Sequence, residues 1–281
     1  MAKKFCLLVL TATAILSVLA SGCAIQVSAK EIANRTVEAA PGISSVKMDM
    51  HAQLDMASSG GQSPLAISSI QDMTAEIKAS PKEMHLLMNS TMNMASVSTN
   101  LDAEVYVVGQ WAYASTSVTG SSKMWIKTQL TPEYWQSQNQ LQAQTEFLRS
   151  AVTVTKLGNE TIDGVECYVL DIKPDLAAIT EYMKTHTSSG TGFDYSNVDF
   201  AKVFKTYDVK EWVAKDTYLL KKSEMNIEMG FSEQDMVPSS TGSTNMTMLM
   251  KATVNYYGYN EPVTITLPPD AAGAKEITLP G

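Results

Sequence analysis

Three cysteines and three histidines in 281 residues leave little material for thiol chemistry or for a metal site. No G-x-S-x-G elbow, H-E-x-x-H pair, Walker loop or Cys/His cluster at metal-ligand spacing is present, so the sequence points to no enzyme, no cofactor and no metal. Basic residues are also few, 21 against 29 acidic, a formal charge of −8. Without a Lys/Arg cluster the chain lacks the field that phosphate backbones require, which excludes nucleic acid as a partner. The same sign disfavours adhesion to an anionic membrane by electrostatics alone. Long apolar runs are missing too. Phe5 to Ala20 is an apolar stretch without a single charge, and it is shorter than the roughly 20 residues of a spanning helix. With 15 Gly and 10 Pro the chain is neither collagenous nor of low complexity, and 44% hydrophobic residues supply a core large enough to fold. What the chain does have is methionine, 17 of them.

The beginning of the chain reads as a secretory leader. Lys3 and Lys4 form a basic start, the uncharged run follows, and it ends in Leu19-Ala20-Ser21-Gly22-Cys23. Small residues directly before a Cys resemble the lipobox of bacterial lipoproteins, with Leu19 one place earlier than usual. The resemblance implies a signal peptide over 1–22, cleavage before Cys23 and diacylation of its thiol. Two acyl chains anchor stably where one binds only marginally. Loss of Lys3 and Lys4 leaves 19 basic against 29 acidic residues, a charge of −10. The expected location is the bacterial envelope, on the outer face of the cytoplasmic membrane or in the outer membrane; Ala24 rather than Asp follows the Cys. Once Cys6 leaves with the leader, Cys167 is the remaining thiol. It shares a strand face with Val165 and Val169, which makes it a packing residue and not a nucleophile.

Residues 23–30 form a short tether, and 31–281 a single domain. Ile32, Ala33, Val37 and Ala40 predict a short helix closed by Pro41-Gly42. From Val46 the period changes to two, with Val46, Met48, Met50, Ala52, Leu54 and Met56 alternating with polar residues. Further strands are expected over 67–79, 81–96, 103–108, 111–115, 123–128, 152–157, 164–173, 209–214, 217–231, 244–257 and 263–267. Gly109-Gln110 joins two of them as a tight hairpin. Thr131-Pro132-Glu133 opens a helix expected to run to Ala151; 174–187 and 198–207 read as further helices. The class is α+β. His51 and His85 fall on polar strand positions and His186 near a helix end; with Asp49, Asp55 and Asp102 they read as solvated groups.

Beyond the lipobox, Tyr106-Val-Val-Gly-Gln-Trp-Ala-Tyr113, Met124-Trp-Ile-Lys127, Asp163-Gly-Val-Glu-Cys-Tyr-Val-Leu170 and the hairpin from Glu211 to Lys222 resemble the LolA-like bacterial lipoproteins, the superfamily of LolA, LolB, LppX and LprG. The resemblance implies a large curved antiparallel sheet, an incomplete β-barrel with helices on its concave side, around an apolar cavity that accepts acyl chains. It transfers no ligand contact residue by residue.

Met48, Met50, Met84, Met88, Met92, Met94, Met225, Met229, Met246, Met248 and Met250 fall on the apolar sides of their strands. Met is long, unbranched and polarizable, so a surface made of it repacks around ligands of variable shape. The expectation is a cavity lined by these residues, holding a lipid or other acylated or apolar molecule. The alternative is a non-catalytic structural or protein-interaction module in which the same residues close a solid core.

Overall fold

The computed structural model describes residues 27–60, 65–95, 97–118, 123–130, 151–177, 200–232 and 244–277. Helix α1, Ala29–Ala39, begins where Ser28 Oγ accepts the Glu31 backbone N–H at 3.1 Å and ends as Ala40–Gly42 tightens into a 3-10 turn carrying Pro41. Its buried side is Ile32, Ala33 and Thr36; of the expected stripe Ile32 and Ala33 are buried, while Val37 and Ala40 are half-buried.

Twelve strands follow: β1 Ser45–Ser59, β2 Ala66–Lys78, β3 Glu83–Met94, β4 Val97–Val108, β5 Trp111–Val118, β6 Met124–Gln129, β7 Ala151–Ile162, β8 Val165–Pro174, β9 Phe204–Ala214, β10 Leu220–Ser232, β11 Asn245–Tyr257 and β12 Lys275–Glu276. A four-residue helix α2, Phe200–Val203, precedes β9. All twelve lie in one sheet in the order β12-β6-β5-β4-β3-β2-β1-β11-β10-β9-β8-β7. The sheet is open, with β7 at one margin and β12 at the other, and every pairing is antiparallel except β12 on β6. At the β7 margin a register shift between Lys156 and Gly158 leaves Leu157 as a bulge, a common way to blunt a strand that could otherwise template aggregation.

The register sorts the side chains into two faces. One carries Val46, Met48, Met50, Ala52, Leu54 and Met56 from β1 with their partners on β2 and β11; it is called the methionine face below. The other carries Lys47, Asp49, His51, Gln53 and Asp55, and is called the charged face. Helix α1 packs on the methionine face, where Ile32 joins Val46, Met48, Ile77, Met84, Leu170 and Val213 in the main core.

Several expected elements come out differently. Residues 263–267 form no strand. Ile265 and Leu267 instead lie against Tyr106 and Trp125 on the charged face, and the following 3-10 turn Pro269–Gly273 buries Ala271 there. Their period-two pattern records one-sided packing of an extended strap, and Pro262, Pro268 and Pro269 remove ladder donors from it. The helix expected over 198–207 gives way at Phe204, because Phe204 and Tyr207 pair with Met229 and Ile227 of β10. Strand β4 starts at Val97 rather than 103, continuing the pairing with β3 through polar Ser98 and Asn100. The helix expected over 131–151 lies outside the described residues except for Ala151, which opens β7; of the one expected over 174–187, residues 178–187 do, as does His186.

Candidate functional site

Cross-strand pairing assembles all eleven candidate methionines on the methionine face. One row across the sheet reads Met94, Ile67, Met56, Met248, Met229, Phe204. The next reads Met92, Ser69, Leu54, Met250, Ile227, Tyr207. Two rows further on, Met88, Met73, Met50 and Val254 are neighbours. Met225 pairs with Ala252, Met246 with Phe231, Met48 with Ala75 and Met84 with Ile77. Met56 and Met73 belong to the same face and were not among the candidates.

Depth divides the set. At the end of the sheet beneath α1, Met48 and Met84 are only 1% and 8% exposed, and serve as core. Toward the opposite end Met50, Met88, Met225, Met229, Met246, Met248 and Met250 are half-buried. On β3, Met92 and Met94 are 43% and 44% exposed. Val97, Val118 and Met124 are exposed beside them, and the pairing of Val97 with Met94, Val118 with Leu101 and Met124 with Thr116 puts all three on this face. The methionine face is therefore packed solid at one end and presents bare apolar surface at the other.

Polar residues interrupt this face in two places that the sequence reading passed over. Ser69 and Ser90, 4% and 7% exposed, place their hydroxyl oxygens 3.2 Å apart, and Gln71 Nε2 donates to Ser69 Oγ at 3.5 Å. Deeper in, Glu211 is fully buried and pairs in register with Ser223 and Leu170; Ser223 Oγ has no hydrogen-bond partner among the described residues. Burial, followed by the Tyr256 and Glu211 charges, raises the Tyr259 phenol well above its ordinary value, and its hydroxyl donates to the Leu220 carbonyl at 2.7 Å. The signal for Glu211 was present in the alternation Val209, Glu211, Val213, where an acid occupies an inward position.

The charged face behaves differently. Its cross-strand rows alternate in sign, as in Asp171, Lys210, Glu224. Lys47 pairs with Glu76 at 2.8 Å and Lys173 with Asp208. An open depression of about 650 Å³ on this face is lined by His51, Lys173, Asp208, Lys210, Glu224 and Lys251 among others, so its charges compensate one another. His51 Nδ1 sits 2.7 Å from Asp72, Asp49 accepts the Tyr257 hydroxyl at 3.0 Å, and Asp55 accepts Gln53 Nε2 at 2.8 Å. Asp102 is exposed opposite Asn89 and Ser117. No group of three or more acids, His or Cys among the described residues is arranged to hold a metal. Cys167 packs with Val169 and Trp212, and burial pushes its thiol pKa up, which suppresses the thiolate.

His85 stacks on Tyr106 with ring centres 4.2 Å apart. Glu104 accepts from the Tyr106 hydroxyl at 2.8 Å, lies 3.3 Å from His85 Nε2 and pairs with Lys123. Burial alone would raise the Glu104 pKa; the bonds from Lys123, Tyr106 and His85 outweigh it and hold the carboxyl below its ordinary 4.5. A depressed folded pKa contributes stability above the unfolded value and loses it as pH falls through the folded one. Glu104→Gln is therefore expected to unfold at lower urea concentration than the wild type at pH 7, with the gap closing in acid below the ordinary value. A gap that stays constant down to pH 2 would contradict this.

A family model described as a family of unknown function (DUF6612) matches residues 28–276. No curated protein matches the chain. Among solved structures the chain is similar to the lipoprotein LppX of Mycobacterium tuberculosis, at 14% identity and TM-score 0.42 over 85% of this chain and 98% of that one. It is similar to LprF of Mycobacterium bovis at 14% and 0.43, over 85% and 96%. A DUF1329 family protein from Desulfovibrio piger follows at 14% and 0.24, over 84% and 93%.

Proposed function

We propose that this chain, which belongs to the family of unknown function DUF6612, is a lipid-anchored envelope lipoprotein that binds a lipid or other acylated, apolar molecule without chemically altering it. The observation that carries this reading is the gradient along the methionine face, from Met84 at 8% to Met92 and Met94 at 43% and 44% exposure. A contiguous apolar surface on a soluble domain marks a site for an apolar partner, and methionine adapts its shape to one. Acylated Cys23, at the end of the lipobox-like string Leu19-Ala20-Ser21-Gly22-Cys23, supplies the membrane attachment in this reading; no helix among the described residues is long and apolar enough to cross a bilayer.

Organic extracts of the purified protein are expected to contain acylated species by mass spectrometry, and the extracted protein to take up a fluorescent fatty acid. An extracted, folded protein that binds no such probe would leave the closed-core interaction module as the correct reading. Separately, Cys23→Ser is expected to abolish incorporation of labelled fatty acid and to release the protein from the membrane fraction. Retention there together with an unlabelled wild type would refute the anchor.

A further inference from the structure

The geometry points to a ligand that carries an ester or amide carbonyl, seated on Ser69, Gln71 and Ser90, in preference to bare hydrocarbon. This deepens the lipid-binding reading and rests on it. The three residues lie on adjacent strands β2 and β3 at the level where the methionine face changes from half-buried to exposed. Ser69 is flanked in its row by Met92 and Leu54, and Gln71 by Ser90 and Ala52. A chain lying along Met92 and Met94 therefore reaches this trio at its inner end.

The trio's hydrogen inventory selects the chemistry. Gln71 carries two amide hydrogens and each serine one hydroxyl hydrogen. The Gln71-to-Ser69 bond and the Ser69–Ser90 bond use two of these four. Whichever serine donates, one hydroxyl hydrogen and one amide hydrogen are left to offer. Two donors set close together in apolar surroundings suit a carbonyl oxygen, which accepts through two lone pairs, and offer nothing to a saturated hydrocarbon. Solid packing at this level is served equally well by alanine and leucine, so polar side chains at three adjacent positions need a partner that makes use of them.

The test uses two probes of equal chain length on the extracted protein, a pyrene-labelled fatty acid methyl ester and the matching pyrene-labelled alkane. The wild type is expected to prefer the ester by about five-fold, the worth of one neutral hydrogen bond. Ser69→Ala/Gln71→Leu/Ser90→Ala, which removes every donor of the trio, is expected to reduce that ratio to about one while alkane binding is retained, and Ser69→Thr, which keeps the hydroxyl, to leave it at the wild-type value. Gln71→Leu alone, at a half-buried position, removes the amide donor, is expected to lower the ratio, and serves if the triple variant does not fold. An unchanged ratio in the triple variant or in Gln71→Leu, or no preference in the wild type, overturns the carbonyl assignment and leaves lipid binding standing. A folded wild type that binds neither probe overturns both.

Discussion

Met92→Asp/Met94→Asp is expected to fold with a stability within about 1 kcal/mol of the wild type and to bind a fluorescent fatty acid at least about ten-fold more weakly. Both methionines are more than two-fifths exposed, so the folded state loses little packing, and an exposed strand position tolerates polarity at a cost of this order. Binding responds differently. An alkyl chain laid over these positions strips water from two carboxylates, and desolvating even part of one charge costs several kcal/mol, against about 1.4 kcal/mol for each factor of ten in affinity. The control is Met92→Leu/Met94→Leu, which keeps the apolar surface and is expected to retain binding. Urea titration reads the first quantity and fluorescence the second. Wild-type affinity in the double Asp variant would show that the ligand does not use the open end of the face.

Ile32→Ala carries the largest expected effect on stability. Ile32 is fully buried and packs into the main core with Val46, Met48, Leu170 and Val213. Removing its three outer carbons leaves a cavity beneath α1, at a cost of about 2–5 kcal/mol for substitutions of this kind. An 11-residue helix is marginal in water without its packing face, so amides of Ala29–Ala39 are expected to exchange faster than those of β1 and β11. Ile32→Val, which keeps most of the volume, is expected to cost about 0.5–1.5 kcal/mol. A loss below 1 kcal/mol for Ile32→Ala would mean that α1 contributes little to closing this end of the sheet.

Ile32 and the Met92–Met94 pair lie toward opposite ends of one surface, and the sequence treats those ends alike. Met48, Met84, Met92 and Met94 have the same type of side chain at the same phase of an alternating pattern. Nothing local distinguishes core from open surface. The distinction comes from distant segments, Ile32 of α1 together with Leu130, Tyr218 and Tyr259, which join Val46, Met48 and Met84 in one core. The strap at 263–267 shows the converse error: alternation there is real, but it lacks a hydrogen-bonding neighbour. Glu211 and the Ser69, Gln71, Ser90 trio escaped notice because each is one polar residue within an apolar pattern, and their meaning depends on what lies opposite in the next strand.

By itself the sequence determined which side of its own strand each of the eleven candidate methionines occupies, because the pleat sends successive side chains to opposite sides whatever the strand's neighbours are. It also determined the short helix closed by Pro41-Gly42, the hairpin at Gly109-Gln110 and the packing role of Cys167 beside Val165 and Val169, all set within a few residues. Tertiary structure alone decided that β1 pairs with β11 some two hundred residues later, which methionines are covered, and where polar groups gather on the apolar face. Those outcomes depend on hydrogen bonds and packing between distant segments, which no local pattern encodes.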